Sequence, residues 1–223
     1  MPRIARAVAT GYPHHIIQRG NNRQPVFFKR KDRIFYFSLL KNYSEKWGVS
    51  IYAYCLMTNH VHLLATPKKD ESLFKMMQGL TLCYTQYINR AYEKTGRLWE
   101  SRYNSCIVDD ETYLWSAARY IEQNPVRAKI VKKAEDYPYS SAKAHITGQS
   151  DDLVSEKLFL DQQRKAYISF IREPIPKKEI EDLKYHTRTG RPFGQAGFIG
   201  KMEKLLGREF SLKRPGRPRK GKQ

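Results

Sequence analysis

Residues 49–67 read VSIYAYCLMTNHVHLLATP, and they decide which fold the rest of the chain must complete. Both halves of this stretch are rich in β-branched and aromatic residues, and the pair Thr58-Asn59 between them is a turn signal. The pattern predicts two strands, Val49–Leu56 and His60–Thr66, joined as an antiparallel hairpin. The remaining elements can be placed outward from this hairpin.

The segments that flank the hairpin alternate between strand and helix patterns. Tyr12–Arg19 has the composition of a first strand, and Lys31–Trp47 has the apolar spacing of an amphipathic helix. Ser72–Arg90 has the spacing of a second helix, and Gly96–Val108 is extended. The order strand, helix, strand, strand, helix, strand predicts an α+β fold, a ferredoxin-like (split βαβ) antiparallel sandwich.

A closing helix is expected from about Glu111 to Gln123, because proline at position 125 disfavours helical backbone at the residue before it. We therefore place a first domain at residues 1–130 and a helical C-terminal extension at residues 131–212. Residues 213–223 hold six Lys or Arg and no acidic residue, so a basic tail that is disordered when free is expected. Helices of the extension are expected within Leu153–Arg172, Ile180–Tyr185 and Phe198–Leu206.

Charge indicates the class of partner. The 223 residues include 41 Lys and Arg against 22 Asp and Glu, a net charge of +19, and the sequence pI is about 9.8. Such an excess favours binding to polyanions through phosphate contacts. The 15 Tyr, 10 Phe and 3 Trp offer faces that stack on unpaired bases, which favours single-stranded nucleic acid. A solvated basic surface and a contact with an anionic membrane are the alternatives that charge alone leaves open.

Composition also disfavours several classes of protein. A run of about 18 apolar residues is absent, so no membrane-spanning helix is expected. The N-terminus has no apolar stretch behind its charged residues, which disfavours a secretory signal. Cys55, Cys83 and Cys106 are an odd number set among apolar residues, so buried thiols are expected rather than disulfides or a zinc cluster. The protein is therefore expected in the cytoplasm.

Two histidines in the second strand of the hairpin are candidate metal ligands. Side chains alternate across a strand, so His60 and His62 are expected on one face and Val61, Leu63 and Ala65 on the other. Neighbouring neutral imidazoles form a platform for a metal ion. The His-x-His pattern is common, however, and two ordinary strand histidines explain it without any metal.

The closing helix supplies a candidate nucleophile. Tyr120 and Asn124 are four residues apart and therefore share a helix face. The carbonyl oxygen of an asparagine suits a metal already bound by two histidines, and a phenol one turn earlier would lie near that metal. A phenol with a pKa of about 10 attacks a phosphodiester poorly unless a metal stabilises the developing charge. By spacing alone, a core tyrosine and a helix-capping asparagine account for the same pair.

Four ordered blocks of the sequence resemble a known family. Residues 53–64, AYCLMTNHVHLL, closely resemble the histidine motif of the HUH single-tyrosine transposases, and more narrowly that of the REP-associated tyrosine transposases of bacteria. Residues 17–24, IQRGNNRQ, resemble the N-terminal block of that subgroup. Residues 118–128, ARYIEQNPVRA, resemble its tyrosine helix. The remaining similarity lies in residues 137–141, 190–192 and 215–220.

The resemblance implies that residues 1–130 are a single-tyrosine transposase catalytic domain with a divalent metal cofactor, Mg²⁺ or Mn²⁺. It implies that His60, His62 and Asn124 hold the metal against the scissile phosphate and that Tyr120 is the nucleophile. The implied substrate is a single-stranded DNA hairpin formed by a repeated extragenic palindrome. The implied intermediate is a 5′-phosphotyrosine with a free 3′ hydroxyl, so strands can be rejoined without ATP. Either a monomer or a homodimer is compatible with the resemblance.

DNA contacts are expected from two further segments. The first is the turn after the first strand, whose donors suit unpaired bases or phosphates: Arg19, Asn21, Asn22 and Arg23. An ordinary polar loop has the same composition. The second is the basic tail, which is similar to arginine hooks that read the minor groove: Arg217, Arg219 and Lys220. A tail that binds phosphates without sequence preference is the simpler alternative.

Three other classes of function would explain part of the sequence. A non-catalytic DNA- or RNA-binding protein on the same sandwich explains the charge and the aromatics, but it leaves the histidines, Tyr120 and Asn124 as coincidences. A rolling-circle replication initiator or a relaxase would share the chemistry and differ in substrate. A hydrolytic metalloenzyme is disfavoured because a water-activating motif such as H-E-x-x-H is absent from the sequence.

Overall fold

In the computed structural model, which describes residues 6–109 and 113–210, the hairpin forms as two paired strands. β2 spans Val49–Met57 and β3 spans His60–Pro67. β1 (His14–Arg19) pairs antiparallel with β3 on one side and with β4 (Asn104–Ile107) on the other, giving the strand order β2-β3-β1-β4. One helix between β1 and β2 and another between β3 and β4 complete the ferredoxin-like arrangement. The predicted α+β fold is confirmed.

Two helices cover one face of the sheet. α1 spans Arg30–Trp47 and α2 spans Ser72–Ala91, close to the predicted ranges. The buried carboxylate of Asp32 accepts hydrogen bonds from two backbone N–H groups at the start of α1, which would otherwise lack partners. The same carboxylate accepts from the hydroxyls of Tyr87 and Tyr92 near the end of α2. These bonds tie the two helices together above the first core.

The opposite face of the sheet is covered by the C-terminal half of the chain. Cys55, Leu64 and Cys106 project from the strands into a second core shared with these helices. A third, smaller core forms around Met202 between the last helix, the N-terminal segment and β4. The helices are α3 (Leu114–Glu122), α4 (Asn124–Arg127), α5 (Ala142–Thr147), α6 (Arg164–Arg172), α7 (Lys177–Thr189) and α8 (Ala196–Leu206).

Several predicted elements differ from the structure. Of the one or two helices expected within Leu153–Arg172, the structure has α6, preceded by a short 3-10 turn at Asp161–Gln163. Leu153 and Leu158 are buried in irregular chain. Apolar residues along a buried loop can imitate helical spacing. β4 occupies only the end of the extended segment, whereas α7 is about twice as long as predicted.

The organisation into domains stays a prediction, with its boundary at residue 130. Residues beyond that boundary bury the second face of the sheet. The predicted basic tail, residues 213–223, lies outside the described residues. No helix in the described part of the chain is long and apolar enough to cross a bilayer.

Candidate active site

The two histidines of β3 lie on the face of the sheet that α3 covers. His62 is buried and His60 is partly buried, with ring centroids 4.9 Å apart and ring planes at 83°. Val61, Leu63 and Ala65 belong to the first core, on the other face. The predicted alternation is confirmed, so β3 presents two imidazoles side by side.

Helices α3 and α4 bring Tyr120 and Asn124 to the same place. The two helices follow one another with only Gln123 between them, and α3 packs on β2 and β3. The Tyr120 ring meets the His62 ring edge-on at a centroid distance of 5.6 Å. The side chain of Asn124 lies close enough to His60 to favour its protonated form, which opposes the lowering of the His60 pKa by burial. The structure thus gathers the four residues that the sequence singled out, while their metal-binding and nucleophilic roles stay predictions.

Hydrogen bonds select which atom of these side chains faces the site. The Nδ1–H of His60 donates to Oδ1 of Asn59 at 2.6 Å, and the amide nitrogen of Asn59 donates to the Arg23 carbonyl at 2.9 Å. A carboxamide oxygen only accepts, so Nε2 of His60 keeps its lone pair. The amide nitrogen of Asn124 donates to the Tyr120 carbonyl at 3.0 Å, which leaves Oδ1 of Asn124 for contacts toward His60.

A third histidine, His15 of β1, belongs to the site although no motif in the sequence singled it out. Its ring stacks on that of His62 with centroids 5.1 Å apart, and its Nε2 lies 2.9 Å from Nδ1 of His62. It also meets the Tyr120 ring edge-on at 5.6 Å. Part of this could be read from the sequence, because His15 and Arg19 are four residues apart on a predicted strand and therefore share a face. The structure adds that Arg19 pairs with His60 across the sheet.

Two arginines lie close to the Tyr120 phenol. The guanidinium of Arg127 is 4.4 Å from the Tyr120 ring centroid, and it donates a 2.9 Å hydrogen bond to the Tyr120 carbonyl. Burial raises the pKa of the Tyr120 phenol above its ordinary value, and the charges of Arg127 and Arg19 oppose that rise. The phenol is therefore protonated at neutral pH, in a setting where two cations stabilise negative charge on its oxygen. Arg127 was also missed, although it follows Asn124 by less than one helical turn.

The three imidazoles are neutral at neutral pH. Burial lowers the pKa of His60 to about 4 and that of His15 to about 3, and it holds the pKa of His62 well below its ordinary range. Neutral imidazole is the form that binds metal ions.

The donor set of His60, His62 and Asn124 fits a divalent ion. The carboxamide oxygen suits Mg²⁺ or Mn²⁺, and the two imidazole nitrogens suit softer ions, so the mixed set fits Mn²⁺ better than Mg²⁺. No cluster of three or more His, Cys, Asp or Glu that could hold a metal is found among the described residues. The candidate set contains only two residues of those types and takes its third donor from an amide.

The turn after β1 lies beside the hairpin turn. The backbone N–H of Gly20 donates to the Asn59 carbonyl at 2.8 Å, and a Cβ at Gly20 would clash with the Gln24 carbonyl oxygen. Asn22 and Arg23 are exposed, with left-handed φ values of 48° and 59°. The predicted DNA-binding residues of this turn, Arg19, Asn21, Asn22 and Arg23, therefore border the histidine pair. The other three predicted DNA contacts, Arg217, Arg219 and Lys220, lie outside the described residues.

A cavity of about 260 Å³ lies beside Tyr120. β1, the segment before β4, and α7 form its walls, and Glu100 is its one acidic lining residue. Its four cationic lining residues form no ion pair with a carboxylate in the part of the chain that the structure describes. These cations are Arg19, Arg102, Lys184 and Arg188.

Comparison with known proteins identifies the family and supports the fold. A family model described as "Transposase IS200 like" matches residues 9–124, slightly more than half of the chain. A Haemophilus influenzae protein assigned to the REP-associated tyrosine transposases is 26% identical over 114 residues, covering 47% of this chain and 65% of that protein, just under two thirds of its length. A solved structure of a REP-associated tyrosine transposase bound to a REP hairpin shares the fold, with a TM-score of 0.54 at 15% identity over 72% of this chain and 94% of the other. The chain belongs to the IS200-like transposase family.

Proposed function

We propose that this protein cuts and rejoins single-stranded DNA at hairpins of the repeated-extragenic-palindrome type, through a covalent intermediate on Tyr120. The observation that carries the proposal is the convergence of Tyr120 and Asn124, from α3 and α4, on His60 and His62 of β3. Membership of the transposase family supports the class of reaction. The hairpin in the related solved structure supports the class of substrate.

In the proposed reaction, Oη of Tyr120 attacks the phosphorus of the scissile phosphodiester. A bond forms between that oxygen and phosphorus while the bond from phosphorus to the 3′ oxygen breaks. The phenol proton passes to solvent, the 3′ oxygen takes up a proton, and the 5′ phosphate stays on Tyr120. Attack by a 3′ hydroxyl of the same or another strand reverses the exchange and releases the tyrosine.

The residues around Tyr120 have separate tasks in this reaction. His60, His62 and Asn124 would hold the divalent ion, which, when bound, polarises the phosphate and stabilises its developing charge. Arg127 and Arg19 stabilise negative charge on the phenol oxygen, the direction in which both already act on the pKa of Tyr120.

The cavity beside Tyr120 provides a path for the strand that is cut. Four cations line it against a single carboxylate, so it suits the phosphates of a DNA strand. The turn at Asn21–Arg23 contacts the hairpin turn next to the histidine pair, where its donors suit unpaired bases beside the DNA hairpin. The scissile phosphate would lie between these two surfaces.

The proposal can be tested with end-labelled single-stranded hairpin DNA from the repeats beside the gene. The protein is incubated with the DNA in Mn²⁺, Mg²⁺ or EDTA, and covalent adducts are resolved on denaturing gels. We expect an adduct with a divalent ion and none in EDTA or with Tyr120→Phe. His62→Ala is expected to reduce the rate of adduct formation at least about 100-fold.

Tyr43→Phe is the matched control for the loss of one hydroxyl. Tyr43 lies on α1, on the other face of the sheet, and contacts Cys83. This variant should form the adduct at the normal rate. Tight binding of the hairpin with no adduct in either metal would overturn the proposal and favour a non-catalytic binding protein.

A further inference from the structure

A chain of buried hydrogen bonds runs from α7 to one of the candidate metal ligands. The hydroxyl of Thr187 donates to the Leu183 carbonyl, 2.7 Å away and one helical turn earlier. Oγ1 of Thr187 lies 2.8 Å from Nδ1 of His15. Nε2 of His15 in turn lies 2.9 Å from Nδ1 of His62. Thr187, His15 and His62 are each at most 3% exposed, so solvent has little access to these bonds.

The carbonyl at one end sets the direction of every bond in this chain. A carbonyl oxygen only accepts, so the single hydroxyl proton of Thr187 points to Leu183. The hydroxyl oxygen therefore accepts from Nδ1–H of His15, and a neutral His15 then has no proton on Nε2. That nitrogen accepts from Nδ1–H of His62, which places the lone pair of His62 on Nε2.

Cys106 of β4 reinforces this direction. Its Sγ lies 3.3 Å from Oγ1 of Thr187, and burial raises the pKa of the Cys106 thiol to about 12. A protonated thiol can donate, so the Thr187 oxygen accepts from Cys106 and from His15 and donates to Leu183. The hydroxyl then uses one donor and two acceptor sites, which is its full capacity. Reversing the bond to His15 would leave the Leu183 carbonyl without this donor.

We infer that Thr187 is a positioning residue that acts through His15 to hold His62 in the tautomer whose Nε2 is available to a divalent ion. The inference rests on the metal-binding role of His62 under the proposed function. Thr187 lies well beyond residue 124, where the family match ends. A helix outside the matched region therefore sets the state of a side chain inside it. Groups that hydrogen-bond to metal-binding histidines in this way change metal affinity by about 10- to 100-fold.

The tautomer can be read directly in metal-free protein. Long-range ¹H–¹⁵N spectra of ¹⁵N-labelled protein report which imidazole nitrogen carries the proton, and the affinity for Mn²⁺ alone is measured separately from the free-ion signal. We expect Nδ1–H for His62 in the unmodified protein. In Thr187→Val both histidines should sample the other tautomer, and Mn²⁺ binding should weaken about tenfold. Thr187→Ser keeps the hydroxyl, so it should retain the Nδ1–H tautomer of His62 and the normal affinity for Mn²⁺.

Thr189→Val is the matched control, because the exposed Thr189 hydroxyl donates to the Tyr185 carbonyl in the same helix at 2.8 Å. It should change neither the spectra nor the affinity. A proton on Nε2 of His62 in the unmodified protein overturns the inference, and this reading stands even if Thr187→Val does not fold. A folded Thr187→Val with unchanged tautomer and Mn²⁺ affinity overturns it as well. The spectra require no DNA, so a protein with the expected tautomer that forms no DNA adduct would count against the proposed function only.

Discussion

At the residue scale, each of the three candidate ligands has its donor atom selected by a neighbour that is not itself a ligand. Asn59 accepts a hydrogen bond from Nδ1–H of His60, and His15 accepts one from Nδ1–H of His62. Backbone carbonyls of α3 accept hydrogen bonds from the side-chain amide of Asn124. Preorganised donors lose little conformational freedom when a ligand binds. The geometry therefore favours a site that is already shaped before a metal or DNA arrives.

Asn59 is expected to affect metal affinity because it orients the candidate ligand His60. Asn59→Ala removes the acceptor at Nδ1 of His60 and the bond to the Arg23 carbonyl, so we expect Mn²⁺ affinity to fall about tenfold. Titration with Mn²⁺ measures the effect. Asn89→Ala is the control, because Asn89 makes a similar amide bond, to the Gly96 carbonyl, far along α2. Equal Mn²⁺ affinities in the two folded variants would show that Asn59 does not orient His60.

At the scale of elements, the sequence was sufficient to predict the position of a site residue where the pattern lies within a single strand or helical segment. Alternation along β3 placed His60 and His62 on one face, and four-residue spacing brought Tyr120 and Asn124 to the same site. No local pattern relates His15 to Thr187, because the two are 172 residues apart and meet only when α7 packs beside β1 and β4. The part of the site supplied by α7 could therefore not be predicted from the sequence.

Helix α7 yields a prediction about DNA binding. Lys184 and Arg188 are four residues apart on one face of α7, and both line the cavity beside Tyr120. The double change Lys184→Gln with Arg188→Gln should weaken binding to a single-stranded oligonucleotide. If each side chain contacts a phosphate, the slope of log affinity against log salt should fall by about two. Fluorescence anisotropy at several salt concentrations measures both quantities.

The opposite end of α7 offers a control with the same change in net charge. Lys177 and Lys178 are exposed and do not line this cavity. Changing both to glutamine should alter the affinity and the salt slope much less. Equal losses of DNA affinity in the two double variants would mean that the DNA responds to the overall charge of the protein and does not bind along the cavity wall.

At the scale of the whole molecule, the sheet separates two cores, and the site lies on the side that the C-terminal helices cover. Glu122, two residues after Tyr120, is fully buried and accepts hydrogen bonds from Ser141, His145 and Tyr167 at 2.5, 2.6 and 2.8 Å. Those three donors lie beyond residue 130. The helix that carries the candidate nucleophile is thus held by the same part of the chain that supplies Thr187. Loss of that part would remove these three donors and expose the second core to water, which is strongly destabilising.

Acid is expected to destabilise the whole fold through His14, a buried histidine outside the site. Its Nδ1–H donates to the Tyr12 carbonyl at 2.8 Å, and its Nε2 accepts from the Ala9 N–H at 3.3 Å. Burial lowers the pKa of His14 to about 4, whereas in the unfolded chain it is about 6.5. Below about pH 6.5 the unfolded state therefore binds a proton that the folded state excludes, and stability falls until about pH 4.

The share of this acid sensitivity that belongs to His14 can be isolated with His14→Gln. Glutamine keeps one donor and one acceptor but does not titrate, while the other buried histidines contribute equally to both proteins. Between pH 7 and pH 5, the free energy of unfolding of the unmodified protein should therefore fall by about 2 kcal/mol more than that of the variant. Urea unfolding of metal-free protein at the two pH values measures the difference. Parallel losses would show that the folded protein accepts a proton at position 14 without cost, which contradicts a pKa lowered by burial.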